Sequence, residues 1–236
     1  MARFLLIHGA CHGAWAWRDV IPALAALGHD ARAIDLPSHG QDDTPPDQVT
    51  LDLYAQAILD ALDGPTIIVG HSMGGYPISR AAQIDPAHIT RLVYVCAYTP
   101  WPGLTLADMR RLSDHQPLVP AIRKAPDGVT MTFDPAMSPD LFYHDCPPET
   151  VAFALGHLSP QPIKPMETVL PDDARVTPPR SYILCRDDRA IPPELQDRMA
   201  AKLPPQDVYE MPTSHSPFFA DPAGLAQRLD MIARAT

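Results

Sequence analysis

One serine in this sequence is set for nucleophilic chemistry. Ser72 stands in Gly70-His71-Ser72-Met73-Gly74-Gly75, after the apolar run Thr66-Ile67-Ile68-Val69 and before Tyr76-Pro77-Ile78-Ser79-Arg80-Ala81-Ala82. Strand, Gly-x-Ser-x-Gly, helix is a context that exposes a serine on a sharp turn at the end of a sheet. Glycines two residues to either side remove side chains that would collide there. The turn also aims helix N-terminal amides at the spot where an oxyanion would form.

A serine hydroxyl is a weak nucleophile until a base takes its proton, and histidine does so near neutral pH. A carboxylate must then hold the imidazole in one tautomer. Acids occur in Arg186-Asp187-Asp188-Arg189, and His215 lies in Pro212-Thr213-Ser214-His215-Ser216-Pro217. The order Ser72, then Asp187 or Asp188, then His215 is the one expected when the nucleophile rides such an elbow. Residue type does not separate the two acids. For the oxyanion, the Met73 amide follows the nucleophile, and the glycine-flanked loop His8-Gly9-Ala10 makes Ala10 the second donor. His8 and His12 are four apart in a loop, with no carboxylate or cysteine set to complete a metal site. No metal and no cofactor are therefore expected. His71 is read as a packing residue.

The elements that must position these groups can be read in order. Residues 3–7 form a short apolar strand, as in a parallel sheet covered on both faces. Trp15 to Leu27 reads as a helix that tolerates Pro22 and stops at Gly28. Residues 30–34 form a second strand. Thr50 caps a helix whose apolar face is Leu51, Leu53, Tyr54, Ala57, Ile58, Ala61 and Leu62. Strand 66–69, a helix to about Ile84 and strand 89–96 follow. After a break come strand 180–185, a helix over 193–203, strand 207–211 and a closing helix over 222–233. Strands alternating with helices imply an α/β fold, a mostly parallel, doubly wound sheet of about six strands. Sites in such sheets lie at the carboxyl ends of the strands, where Ser72 and the 8–13 loop fall.

The break runs over residues 99–179, is rich in proline, and contains no convincing strand pair. It reads as a cap inserted into a core made of 1–98 and 180–236. Its large apolar residues suit an apolar acyl or aryl group better than a charged one. The candidate pocket residues are Gly9, His12, Trp101, Phe133, Phe142 and Ser216.

The bulk numbers bound the rest. The chain has 236 residues, 46% hydrophobic and 19% charged, enough for one sizeable core. A net charge of −10 disfavours nucleic acid and anionic membrane as partners. No apolar run reaches membrane-span length, and the N-terminal run is too short for a signal peptide. Cys11, Cys96, Cys146 and Cys185 are far apart, as expected of reduced thiols in a cytoplasmic protein. The expected partner is a small-molecule ester substrate. A homodimer is one arrangement the composition allows.

These residues resemble the α/β-hydrolase superfamily, and within it the plant methyl-esterase and hydroxynitrile-lyase group with its bacterial relatives. The likeness rests on Leu6-Ile7-His8-Gly9-Ala10-Cys11-His12-Gly13-Ala14-Trp15, on Gly28-His29, on Asp35-Leu36-Pro37-Ser38-His39-Gly40 and on the serine turn. It continues in Cys185-Arg186-Asp187-Asp188-Arg189-Ala190-Ile191-Pro192 and at His215, and is thin in the cap. It implies the α/β-hydrolase fold with a small cap, a serine esterase activity, and Asp188 as the acid. S-selective lyases of the group carry threonine where this chain has Gly9 and lysine where it has Ser216; another lyase line has asparagine in place of Gly9. The esterases have glycine there, although plant esterases usually carry methionine in place of Ser216. The lyase reaction and a non-catalytic small-molecule receptor are the alternatives that the group also contains.

Overall fold

The computed structural model describes residues 1–171 and 176–236. Residues 172–175, inside the expected 99–179 segment, lie outside the described residues.

The chain runs β1 (Arg3–Ile7), a 3-10 turn (Ala14–Trp17), α1 (Val20–Ala26), β2 (Asp30–Ile34), α2 (Leu51–Asp60), β3 (Thr66–His71), α3 (Gly75–Ile84) and β4 (Ile89–Val95). The next segment holds α4 (Leu106–Arg110), β5 (Ile122–Lys124), β6 (Thr130–Phe133), α5 (Ser138–Phe142), α6 (Pro148–His157) and β7 (Gln161–Pro162). The chain closes with β8 (Arg180–Cys185), α7 (Pro193–Ala200), β9 (Val208–Met211), α8 (Pro217–Ala220) and α9 (Pro222–Arg234).

The main sheet has six strands in the order β2-β1-β3-β4-β8-β9, all parallel. Alternation along each strand divides the core in two. Phe4, Leu6, Val69 and Val93 pack toward Leu225, Leu229 and Ile232 of α9. Leu5, Ile7, Ile68 and Leu92 face Tyr54 and Ile58 of α2, Ile78 of α3 and Leu195 of α7. Helices therefore cover both faces, which is why the central strands β1 and β3 read as continuous apolar runs. No helix among the described residues is long and apolar enough to cross a membrane.

Two elements differ from the sequence reading. The helix expected over 15–27 is interrupted after Trp17 and restarts at Val20. A helix begun at Trp15 would place Pro22 in its interior, without an N–H and against the carbonyl four residues back. Restarting at Val20 puts Pro22 in the first turn, where it is tolerated. The segment after β4 also contains strands, contrary to expectation. The three-stranded antiparallel sheet β5-β6-β7 has Ile122 opposite Phe133 and Thr130 opposite Pro162. Its strands are too short to show alternation. The legible signal was Pro126-Asp127-Gly128, a turn sequence with a mechanism. Gly128 adopts φ +72° there, and Asp127 Oδ1 accepts the Val129 amide at 2.9 Å.

Thr50 caps α2 through Oγ1, which accepts the Leu53 amide at 3.0 Å. Thr50→Ala should lower the unfolding free energy by about 1 kcal/mol, read as a lower urea midpoint with an unchanged slope. An unshifted midpoint would show that the cap contributes nothing.

Candidate active site

The serine turn is built by close approach. Ser72 has φ +54°, a left-handed conformation that a side chain rarely adopts. A Cβ on Gly74 would come within 2.8 Å of the His8 carbonyl oxygen, and one on Gly70 within 2.7 Å of the Gly74 carbonyl oxygen. The elbow thus packs its own backbone against itself and against the end of β1. The Ser72 carbonyl accepts the Tyr98 amide at 3.1 Å, which ties the turn to the chain leaving β4.

Ser72 Oγ lies 3.0 Å from His215 Nε2, and His215 Nδ1 lies 2.7 Å from Asp188 Oδ2. A carboxylate accepts, so Nδ1–H donates to it and Nε2 is left to accept from the hydroxyl. Of the two neighbouring acids, Asp188 is buried and meets the imidazole, whereas Asp187 is exposed and bonds through its backbone. Asp188 Oδ1 accepts the amides of Ala190 and Ile191 at 2.7 and 2.9 Å. Gln196 Nε2, on α7, donates to Asp188 Oδ2 at 2.9 Å. Nothing in the sequence marks Gln196, because a glutamine eight residues after an acid carries no signal of its own.

The His215 loop is held from three sides. His71 Nε2–H donates to the His215 carbonyl at 2.8 Å. From the segment after β4, Asp145 Oδ2 accepts the Ser214 amide at 2.7 Å and the Phe142 carbonyl accepts from Ser214 Oγ at 3.2 Å. Ser214 Oγ in turn accepts the Ser216 amide at 3.2 Å. Packing, the expected place of His71, is therefore combined with a directional bond to the loop that carries His215.

A cavity of about 360 Å³ opens above Ser72. Ala10, Met73, His12, Phe133 and Phe142 line it together with Ser72 and His215. Met73 lies in the first turn of the 3-10 segment Ser72–Gly74, where an amide has no partner in its own helix. His12 fixes the loop of Ala10: its Nδ1–H donates to the Ala10 carbonyl at 2.8 Å and its Nε2 accepts from Tyr143 OH at 2.7 Å. The Asp35 carboxylate holds the far end of that loop, accepting the Ala14 amide at 2.6 Å.

Three candidate pocket residues lie elsewhere. Gly9 sits beneath the cavity, where a Cβ would come within 2.7 Å of His71 Nδ1 and 2.9 Å of Ser72 Cβ. Ser216 is fully buried outside the lining, and its hydroxyl finds no partner. Trp101 is turned away from the cavity. After Tyr98 the chain leaves the cavity through Pro100 and Pro102, and the indole packs at the surface with Lys202 Nζ 5.3 Å from its ring centre.

His71, Cys96 and His215 place ligand-type atoms within 4.8 Å of one another. Both His215 nitrogens are already engaged, and burial pushes the Cys96 thiol well up, so it stays protonated. That is a poor donor set for a metal.

Burial pushes His8 and His71 well below the usual imidazole range and His12 down to about 4. The unfolded chain binds protons at these histidines that the folded chain refuses. Their contribution to stability is thus complete above the ordinary value of 6.5 and is lost as pH falls toward the folded values. Urea unfolding at pH 5.5 should show a free energy lower than at pH 7.5 by about 1 kcal/mol for each such histidine. A flat profile between those values would mean that the histidines are not held neutral.

The model of the Alpha/beta hydrolase family matches residues 4–228. Methylesterase 17 of Arabidopsis thaliana is 32% identical over 239 residues, covering 93% of this chain and 87% of its own. Methylesterase 1 of the same plant is 31% identical over 251 residues, covering 98% and 95%. Among solved structures, a pyrethroid hydrolase from Sphingobium faniae JZ-2 superposes with a TM-score of 0.88 at 28% identity, covering 99% of this chain and 98% of that one.

Proposed function

This chain belongs to the alpha/beta hydrolase family, and we propose that it is a serine carboxylesterase acting on a small ester with a largely apolar body. The observation that carries this reading is the continuous relay from the Asp188 carboxylate through His215 to Ser72 Oγ, opening into an apolar cavity. The names of its relatives, methylesterases and a pyrethroid hydrolase, point the same way.

Ser72 Oγ attacks the ester carbonyl while His215 Nε2 takes its proton. Asp188 keeps His215 in the Nδ1–H tautomer and stabilises the imidazolium. The Ala10 and Met73 amides receive the oxyanion, each worth about 3–4 kcal/mol of barrier. His215 then protonates the departing alkoxide, and water, deprotonated by His215, releases the acid and regenerates the Ser72 hydroxyl. Residues 99–179 act as a cap whose Phe133 and Phe142 shield the acyl-enzyme from bulk solvent. Four free cysteines suit the reducing cytoplasm, which is where we place the enzyme.

The space around Gly9 argues for acyl transfer over cyanohydrin cleavage. A larger side chain at position 9 would press on His71 and Ser72, so a hydroxyl donor cannot be added there without moving the elbow. Ser216 supplies no cation beside His215. The enzyme should hydrolyse short aryl and methyl esters in a Ser72-dependent way and release no benzaldehyde from mandelonitrile above background at mildly acidic pH. Ser72-dependent benzaldehyde release without ester hydrolysis would overturn the reading. Within the relay, Asp188→Asn should lower kcat by about 10³- to 10⁴-fold, whereas Asp187→Asn should stay within about threefold. Equal losses would reassign the acid.

A further inference from the structure

The cavity is not uniform. Around Ser72 its walls are apolar, but its lining also contains Arg110, Arg111, Lys124 and Glu167. Three cations to one anion is the reverse of the whole chain, whose net charge is −10. Two of the cations are engaged at the surface. Arg111 pairs with Asp108 at 2.7 Å, and Lys124 lies 3.9 Å from Glu167, all four side chains being well exposed. Such pairs contribute little.

Arg110 is different. It is half-buried at the end of α4 and has no ion pair among the described residues. Its Nε is closed off from solvent and has no acceptor. A buried donor on a charged group is costly to leave unmade. Its charge also reaches the residue next to the nucleophile turn: the positive field of Arg110 opposes the rise that burial imposes on the Tyr98 phenol. Tyr98 lines the same cavity and donates its amide to the Ser72 carbonyl.

We propose that Arg110 is a specificity-determining residue that receives a carboxylate at the end of the substrate remote from the scissile ester. The substrate class is then an ester with an apolar middle and an anionic end, such as the half-ester of a dicarboxylic acid. This rests on the esterase reading but reverses the expectation, drawn from the apolar residues of 99–179, that a charged group is disfavoured: the apolar lining selects the middle of the substrate, and the Arg110 guanidinium, which that composition does not reveal, selects its tail. A planar guanidinium suits a carboxylate better than an ammonium does. Arg111 and Lys124 add attraction at the mouth that counters the repulsion of the acidic surface, in a manner that salt screens.

The test compares the monomethyl esters of adipic, pimelic and suberic acid with the same esters carrying a terminal carboxamide. An acetoxyalkanoate and its carboxamide place the anion on the alcohol side instead. The native enzyme should favour the acid of at least one of these pairs over its amide in kcat/KM by about tenfold or more at low salt. Arg110→Gln should bring that ratio close to one, Arg110→Lys should retain part of it, and added salt should shrink it. Titration calorimetry with Ser72→Ala should show the same preference as a ratio of binding constants. A ratio at or below one in every pair, or a ratio unmoved by Arg110→Gln, overturns the proposal. Should Arg110→Gln fail to fold, the Arg110→Lys ratio and the salt dependence decide. Loss of the esterase reading is a separate result: no Ser72-dependent turnover of any ester, while the calorimetric preference still judges Arg110.

Discussion

The site depends on one strained residue held by close backbone contact. A left-handed Ser72 costs on the order of 1–3 kcal/mol and persists only where the surroundings leave it no alternative. The surroundings here are Gly74 against the His8 carbonyl and Gly70 against Gly74. The buried parallel strands β1 and β3 fix both sides of that contact. The position of Ser72 is thus set by the sheet, and anything that separates β1 from β3 would displace it.

The other members of the relay are fixed by bonds from several elements. Asp188 accepts three hydrogen bonds besides that of His215: two from amides just after it and one from Gln196 on α7. The loop of His215 is gripped by His71 from the elbow and by Phe142 and Asp145 from the segment after β4. That segment therefore has two tasks. It lines the cavity, and it helps hold the loop of His215 in place. Gln161 on β7 ties it to the core again, bonding His39 at 3.1 Å and Tyr54 OH at 3.1 Å.

Much of this was legible in the sequence, and the rest was not for definite physical reasons. The core strands were readable because strands buried on both faces are continuous apolar runs, as at Thr66-Ile67-Ile68-Val69. The elbow was readable because close backbone approach demands glycine at fixed offsets. Asp188 was not separable from Asp187, since a turn has no periodicity to say which of the two faces inward. The small antiparallel sheet escaped because three- and four-residue strands cannot show alternation. Pocket residues were the least legible. Phe133 and His12 reach the cavity while Trp101 lies in a separate surface cleft between Pro100 and Pro102, a difference of chain course that residue type does not encode.

Whether Ser72 is the nucleophile is decided by covalent trapping. The native protein would be treated with an ester-mimicking phosphonate and its peptides analysed by mass spectrometry. A single adduct on Ser72 is expected, absent from Ser72→Ala and strongly slowed in Asp188→Asn, because the hydroxyl needs the relay to lose its proton. An adduct on another residue, or labelling that proceeds unchanged in Ser72→Ala, would contradict it.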